Sequence, residues 1–326
     1  MLFLALLTAP VQSCAYGPPR ICSRHWVVLV EDTDWNRLID QLREGDCTPF
    51  LGAGACHGVL PSGRDMSQAW ADEYDYPFAD SGDLARVMQY AASEVGDPVD
   101  LKKRVCTKIR SVRPPDFSDP AEPHALLAEF PIPVFITTNY DDFLVKALTS
   151  AGKSPNSAVC SWSTGIDYDK TLFETAAGMK PDSAGPLVYH LHGSVYSPRS
   201  LVLTENDYLE FLVKLASSHE TEELRVIPSA VLSALTANPL LFIGYSLQDW
   251  TFRVIFHGLL STIPDVHRRR GVSVQLLPPL HGSIVNAENR ARKYLNSYLA
   301  KWQISIYWGT ATEFCHELRD RASSRP

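Results

Sequence analysis

Four short stretches of this chain end an apolar run on residues that could do chemistry. Phe50-Leu51 runs into the turn Gly52-Ala53-Gly54. Phe135-Ile136 runs into Thr137, Thr138, Asn139, Tyr140 and Asp141. Leu187-Val188-Tyr189 runs into His190, Leu191, His192 and Gly193. Leu240 to Ile243 runs into Gly244, Tyr245 and Ser246, with Gln248 and Asp249 just beyond. A strand, a Gly-x-Gly turn and a helix can cradle a diphosphate on free backbone N–H groups. The amide of Asn139 can hold a hydroxyl or a water without adding charge. His192 offers a base whose ordinary pKa, about 6.5, lies near neutral pH. Each has a plainer reading. Gly58 stands one place too late to complete the dinucleotide fingerprint, so the first turn alone could simply be tight. Asn139 alone reads as a turn or helix-cap residue, His192 as a hydrogen-bonded core histidine, and Asp249 as a helix cap. Four such ends on one rim carry more weight than any one of them.

The elements that must position these residues are legible from periodicity. Asp32 to Gly45 reads as a helix capped by Thr33 or Asp34 and closed by Gly45, with Trp35, Leu38, Ile39 and Leu42 as its stripe. A helical stretch follows the first turn, from about Asp65 to Arg110, with Pro98 in a first turn. A proline-rich connector and a short helix lead to the second apolar strand. Residues 151 to 185 are polar and weakly patterned and read as a surface excursion. Leu201 to Leu203 reads as a brief strand before a helix capped by Thr204, with Asp207 three residues later. Further helices are expected at about 223–238, 249–260, 287–300 and 311–320. Strands are expected at about 240–243, 272–277 and 303–308.

Strands alternate with helices, and most strands are continuous apolar runs. That pattern predicts an α/β fold: a Rossmann-like, doubly wound parallel sheet of about six strands, with 65–110 as a helical insertion. Such sheets bind ligands at the carboxyl ends of their strands. Residues 1–31 read as an N-terminal extension, and residues 32–326 as one domain. The extension carries an apolar run resembling an export signal, but its first basic residue is Arg20. No apolar run is long enough to span a bilayer.

The 326 residues are 45% hydrophobic and 21% charged, enough for a full core. A net charge of -7 argues against nucleic-acid binding through the bulk field. The one basic run, His267 to Gly271, reads as a solvated turn before a strand, with a phosphate or partner contact as the alternative. The seven cysteines are dispersed, odd in number and without a C-x-x-C pair. This argues against a disulfide framework and a four-cysteine zinc module, and fits a reducing cytoplasm. No metal is expected.

Taken in order, FLGAGA, ITTNYDDFL, YHLHGS and LLFIGYSLQDW resemble the sirtuin-like (silent information regulator 2-like) fold. They are most similar to its bacterial branch in anti-phage defence. The resemblance covers about Asp34 to Asp320. It implies NAD as the bound substrate. It implies that Gly52, Ala53 and Gly54 hold the diphosphate, and that Thr137 or Thr138, with Asn139 and Asp141, line the nicotinamide-ribose pocket. It makes His192, followed by Gly193, the catalytic base, and Gly244 and Ser246 contacts on the adenosine side. The chain also departs from the family. The Pro-Asp-Phe-Arg element is absent, with Arg64 and Asp65 the nearest stand-ins, and no cysteine pairs lie between His192 and Gly244. The resemblance therefore implies an NAD glycohydrolase with Asn139 and His192 as its catalytic pair. The alternatives are a protein deacylase or ADP-ribosyltransferase, or a non-catalytic NAD or ADP-ribose sensor. A homo-oligomer or a partner defence protein is expected by the same analogy.

Overall fold

The computed structural model of the protein describes residues 30–166, 180–217, 226–245, 268–277 and 285–325. The expected helix over 249–260, the signal-like N-terminus and Ser246 lie outside these residues.

Seven strands form one sheet in which every pairing is parallel. They are β1 (Thr48–Leu51), β2 (Val134–Thr137), β3 (Asn156–Val159), β4 (Leu187–His190), β5 (Leu240–Ile243), β6 (Gly271–Gln275) and β7 (Ile304–Trp308). Their spatial order is β3-β4-β2-β1-β5-β6-β7. The chain builds outward on one side of β1, then crosses back to build on the other. The reversal leaves a crevice at the carboxyl ends of β1 and β5, the topological switch point where such sheets take ligands.

Side-chain alternation splits the core between the two faces. Phe50, Ile136, Tyr189 and Phe242 point to one side and pack with α7 (Glu205–Ser217), α8 (Ser229–Ala237) and α9 (Ala287–Ala300). Leu51, Phe135, Val188 and Ile243 point to the other. There they meet α1 (Asp32–Glu44), α5 (Pro123–Ala128), α6 (Phe143–Ser150) and α10 (Ala311–Ser323). Burial on both faces is why these strands read as unbroken apolar runs. The expected insertion folds as α2 (Gly63–Glu73), α3 (Leu84–Val95) and α4 (Pro98–Arg110), with Pro98 at the start of α4. Its own core joins Trp70, Met88 and Val105 to Val195, Leu201 and Leu203. Lys102 of α4 reaches Asp207 of α7 at 2.7 Å, fastening the insertion to the sheet domain.

Several local expectations need correction. Helix α1 starts at Asp32 with Glu31 as its cap position, and neither Thr33 nor Asp34 caps it. Gly45 closes it as expected, in the left-handed region at φ 75°. β3 lies inside the stretch read as a surface excursion and gives the sheet its seventh strand. Leu201 to Leu203 is no strand, although the Val202 N–H donates to the His192 carbonyl at 2.9 Å. The helix expected from about 223 begins at Ser229, after Pro228. The Thr204–Asp207 pair does cap α7: the Asp207 N–H donates to Thr204 Oγ1, and the Thr204 N–H to Asp207 Oδ2. The arginine run enters β6. Arg268 lies over the Trp302 ring at 4.6 Å, while Arg269 and Arg270 face Asp46 and Asp34, each at 3.8 Å. The five described cysteines are all buried and free.

Candidate functional site

The crevice is a cleft of about 680 Å³, within the range of small-molecule sites. The turn after β1 forms its floor. That turn continues as a short 3-10 helix, Ala53–Cys56, packed backbone to backbone against the turn after β5. The Gly54 N–H donates to the Gly244 carbonyl, and the Gly52 N–H to the Ile243 carbonyl, each at 2.9 Å. Gly244 sits at φ 79°, and a Cβ there would lie 2.2 Å from the Ala55 nitrogen. A Cβ on Gly54 would lie 2.7 Å from the Gly244 Cα. The glycines are thus needed to let two strand ends touch. The N–H groups of Gly52 and Gly54 are spent in doing so.

Asn139 follows β2 and lines the cleft while only 9% exposed. Four contacts fix it. Its own N–H donates to Thr137 Oγ1 at 2.9 Å, and its carbonyl meets His190 Nδ1 at 3.1 Å. Its Nδ2 donates to the Gly52 carbonyl at 3.1 Å and to Cys56 Sγ at 3.3 Å. Both side-chain N–H bonds are therefore occupied, and the amide offers a ligand its oxygen. Asp141 lines the cleft but turns its carboxylate inward. Oδ1 accepts from the Phe143 N–H at 3.0 Å, and Oδ2 from the Cys56 thiol at 3.4 Å. It holds the loop. Thr138 lines the cleft too, with its hydroxyl 2.6 Å from that of Tyr245.

His192 follows β4 and is 4% exposed, with its ring edge-on to Tyr208 and Phe211. Its Nε2 is buried without a partner. Desolvation pushes the imidazole pKa down to about 3, against the sequence expectation of a group poised near neutral pH. The ring is neutral at pH 7. His190 is shifted the same way by burial, and its Nε2 is likewise unpartnered. Gly193, at φ 92°, carries the turn; a Cβ there would lie 2.2 Å from the Ser200 carbonyl oxygen.

Of the residues expected at the site, Ala53, Gly54, Thr138, Asn139, Asp141, His192 and Gly244 line the one cleft. Gly52 and Gly193 shape the turns behind it. Sequence reasoning missed the apolar walls, which include Leu60, Met66, Leu84 and Leu276, and it missed Tyr208; it named Tyr245 at the strand end without giving it a role. It left Arg64 open. Arg64 is the only lysine or arginine among the described residues that line the cleft. Cys56, which touches both Asn139 and Asp141, was also missed, because a buried cysteine after a glycine turn carries no local signal.

The chain is 24% identical over 218 residues to the NAD(+) hydrolase ThsA of Acinetobacter baumannii, covering 66% of this chain and 39% of that one. It is 28% identical over 217 residues to the ThsA protein of Cytobacillus dafuensis, covering 65% and 37%. For that of Bacillus cereus the figures are 27% over 233 residues, 70% and 43%. The chain thus spans about two-fifths of the length of these curated relatives. Among the described residues no helix is long and apolar enough to cross a membrane. A model of the SIR2-like domain matches residues 133–307, more than half of the chain, and the protein belongs to that family.

Proposed function

We propose that the protein is an NAD glycohydrolase, cleaving NAD to nicotinamide and ADP-ribose, and that it serves as an anti-phage effector by depleting cellular NAD. Membership of the SIR2-like family and the distant NAD(+) hydrolase relatives support NAD as the ligand. The observation that carries the reading is the pair Asn139 and His192 on one cleft at the switch point, both buried, His192 with an unpartnered Nε2 and Asn139 with both amide hydrogens donated so that its oxygen is the group left for a ligand.

The reaction breaks the bond between the ribose C1 and the nicotinamide nitrogen. The bonding pair leaves with nicotinamide, which departs neutral and needs no acid. Positive charge grows on the ribose, and electrostatic stabilisation of that charge is the main demand on the site. The Asn139 amide oxygen, held in place by its two donated hydrogen bonds, presents partial negative charge to it. The neutral His192 is a weak base. It accepts a hydrogen bond from a water or a ribose hydroxyl and so fixes the attacking oxygen, whose proton passes to solvent after attack. The apolar walls exclude competing water.

The test is NAD consumption by the purified protein beside Asn139→Ala and His192→Ala, read as nicotinamide release. Each variant is expected to lose 100-fold or more, on the order of one preorganised polar group in a dry site. Turnover unchanged in both would refute the assignment. Turnover that requires an acyl-lysine peptide would replace it with deacylation.

A further inference from the structure

We propose that Cys56, His124 and Asp141 form a binding site for a divalent transition metal ion, with zinc the best chemical match. The site lies beneath the cleft, where the turn after β1, the start of α5 and the exit of β2 meet. Cys56 Sγ, His124 Nε2 and an Asp141 carboxylate oxygen lie within 4.8 Å of one another, and all three residues are buried. Sγ is 3.4 Å from Asp141 Oδ2 and 3.9 Å from His124 Nε2. A tetrahedral zinc with bonds of about 2.0–2.3 Å holds its ligand atoms about 3.3–3.7 Å apart, so a shift of a few tenths of an ångström closes the site on the Sγ pairs.

Three further observations point to a cation. Glu122 Oε1 sits 2.6 Å from His124 Nδ1. The ring proton belongs there, so the Nε2 lone pair faces the thiol, as in carboxylate–histidine–metal arrangements. Next, Cys56 has one thiol proton and two acceptors aimed at it, Asp141 Oδ2 and His124 Nε2. One of these goes unmet without a further proton or a metal. Finally, Asp141 and Glu122 are both buried, at 6% and 7% exposure, and their described side-chain partners are a thiol and an imidazole. Buried carboxylates call for a counter-charge. On binding, the thiol proton leaves to solvent. Thiolate and Asp141 carboxylate then balance a doubly charged ion. Asp141 Oδ1 keeps its bond from the Phe143 N–H, and the Asn139 Nδ2 donates to the thiolate. A cavity of about 230 Å³, lined by Cys56, Glu122, Asp116 and Asp119, reaches the site from outside the main cleft. It supplies an acidic approach to the Cys56 thiol.

The test does not depend on NAD turnover. The whole chain, stripped with a chelator, is titrated with cobalt(II) and separately with zinc(II). The expected results are one metal per chain, a thiolate-to-cobalt charge-transfer band, and a rise in Tm with zinc. Cys56→Ser should abolish the band and His124→Gln the Tm rise. Asp141→Asn, which keeps an oxygen for the Phe143 N–H, serves if either of these fails to fold, and should weaken binding at least 10-fold. No binding at one equivalent, or binding unchanged in the variants, overturns the proposal.

Discussion

The buried imidazole of His192 makes the stability of this protein depend on pH in a way that can be measured directly. In the unfolded chain a histidine titrates near 6.5; in the fold, desolvation pushes His192 down to about 3. Between those values the unfolded state binds a proton that the folded state refuses. Acid therefore pulls the equilibrium toward unfolding. Stability rises with pH from about 3 to 6.5, at up to about 1.4 kcal/mol per pH unit, and is fully recovered above 6.5. From pH 7 to pH 5 the contribution of His192 to stability falls by about 2 kcal/mol. Any folded pKa below about 4 gives the same figure, because pH 5 lies above it. The perturbation is His192→Gln, which removes the titration and keeps a polar side chain of similar size. Urea unfolding of both proteins at the two pH values is the assay. The remaining carboxylates and His190 titrate in both, so they cancel in the difference. The wild type is expected to lose about 2 kcal/mol more than the variant over that interval. Equal losses would mean that the ring is hydrated or paired in solution, and the neutral-imidazole role assigned to it would fall.

Two further outcomes follow from the cleft. Gly244→Ala places a Cβ 2.2 Å from the Ala55 nitrogen at a φ of 79°; it should cost at least about 2 kcal/mol in urea unfolding and disorder the floor of the cleft. A change below about 0.5 kcal/mol would show that the two turns are not packed as described. Arg64, the only lysine or arginine among the described residues that line the cleft, is the cation available to the diphosphate of an NAD bound there. Arg64→Met should raise the Kd of ADP-ribose roughly 10- to 100-fold, the scale of one charged hydrogen bond, while Tm barely moves because the side chain is exposed. Equal binding of ADP-ribose by variant and wild type would remove Arg64 from the site.

The sheet was legible because its central strands are covered on both faces, which forces unbroken apolar runs such as Leu240 to Ile243. β3 escaped notice for the complementary reason. It is an edge strand of Asn156, Ser157, Ala158 and Val159, exposed at one end and only half-buried at the other, so no apolar signal marks it. The rim residues were legible as well, since topology sends every strand's carboxyl end to the same side. Their environments were not. Nothing local to His192 says that Tyr208 and Phe211, which follow it in the chain on another element, will dry its ring. Nothing local to Gly54 says that its neighbour will be Gly244, so a turn fit for a diphosphate on pattern is held by its own partner strand. Cys56, His124 and Asp141 come from three separate elements: the turn after β1, the start of α5 and the loop after β2. Only the fold brings them together.

Asn139 shows why the placement of such groups matters more than their identity. A free asparagine offers a donor and an acceptor and can turn either toward a ligand. Here the Gly52 carbonyl and Cys56 Sγ take the amide hydrogens, and the flipped amide would set its oxygen against the Gly52 carbonyl oxygen. The acceptor is thereby committed to the other side. On the proposed reading that commitment suits a reaction whose charge grows positive at the ribose, because a dipole already oriented loses nothing by reorganising as the bond breaks. The cluster behind it then has a second consequence. A thiol at Cys56 is a weak acceptor for the Asn139 Nδ2, whereas a metal-bound thiolate is a charge-assisted one. If the Cys56 site takes zinc, the ion tightens the hydrogen bond that orients the amide. Removing it with a chelator should then lower NAD turnover in the wild type and leave the residual rate of Asn139→Ala unmoved. A chelator effect of equal size in both would separate the metal from the amide and confine it to holding the fold.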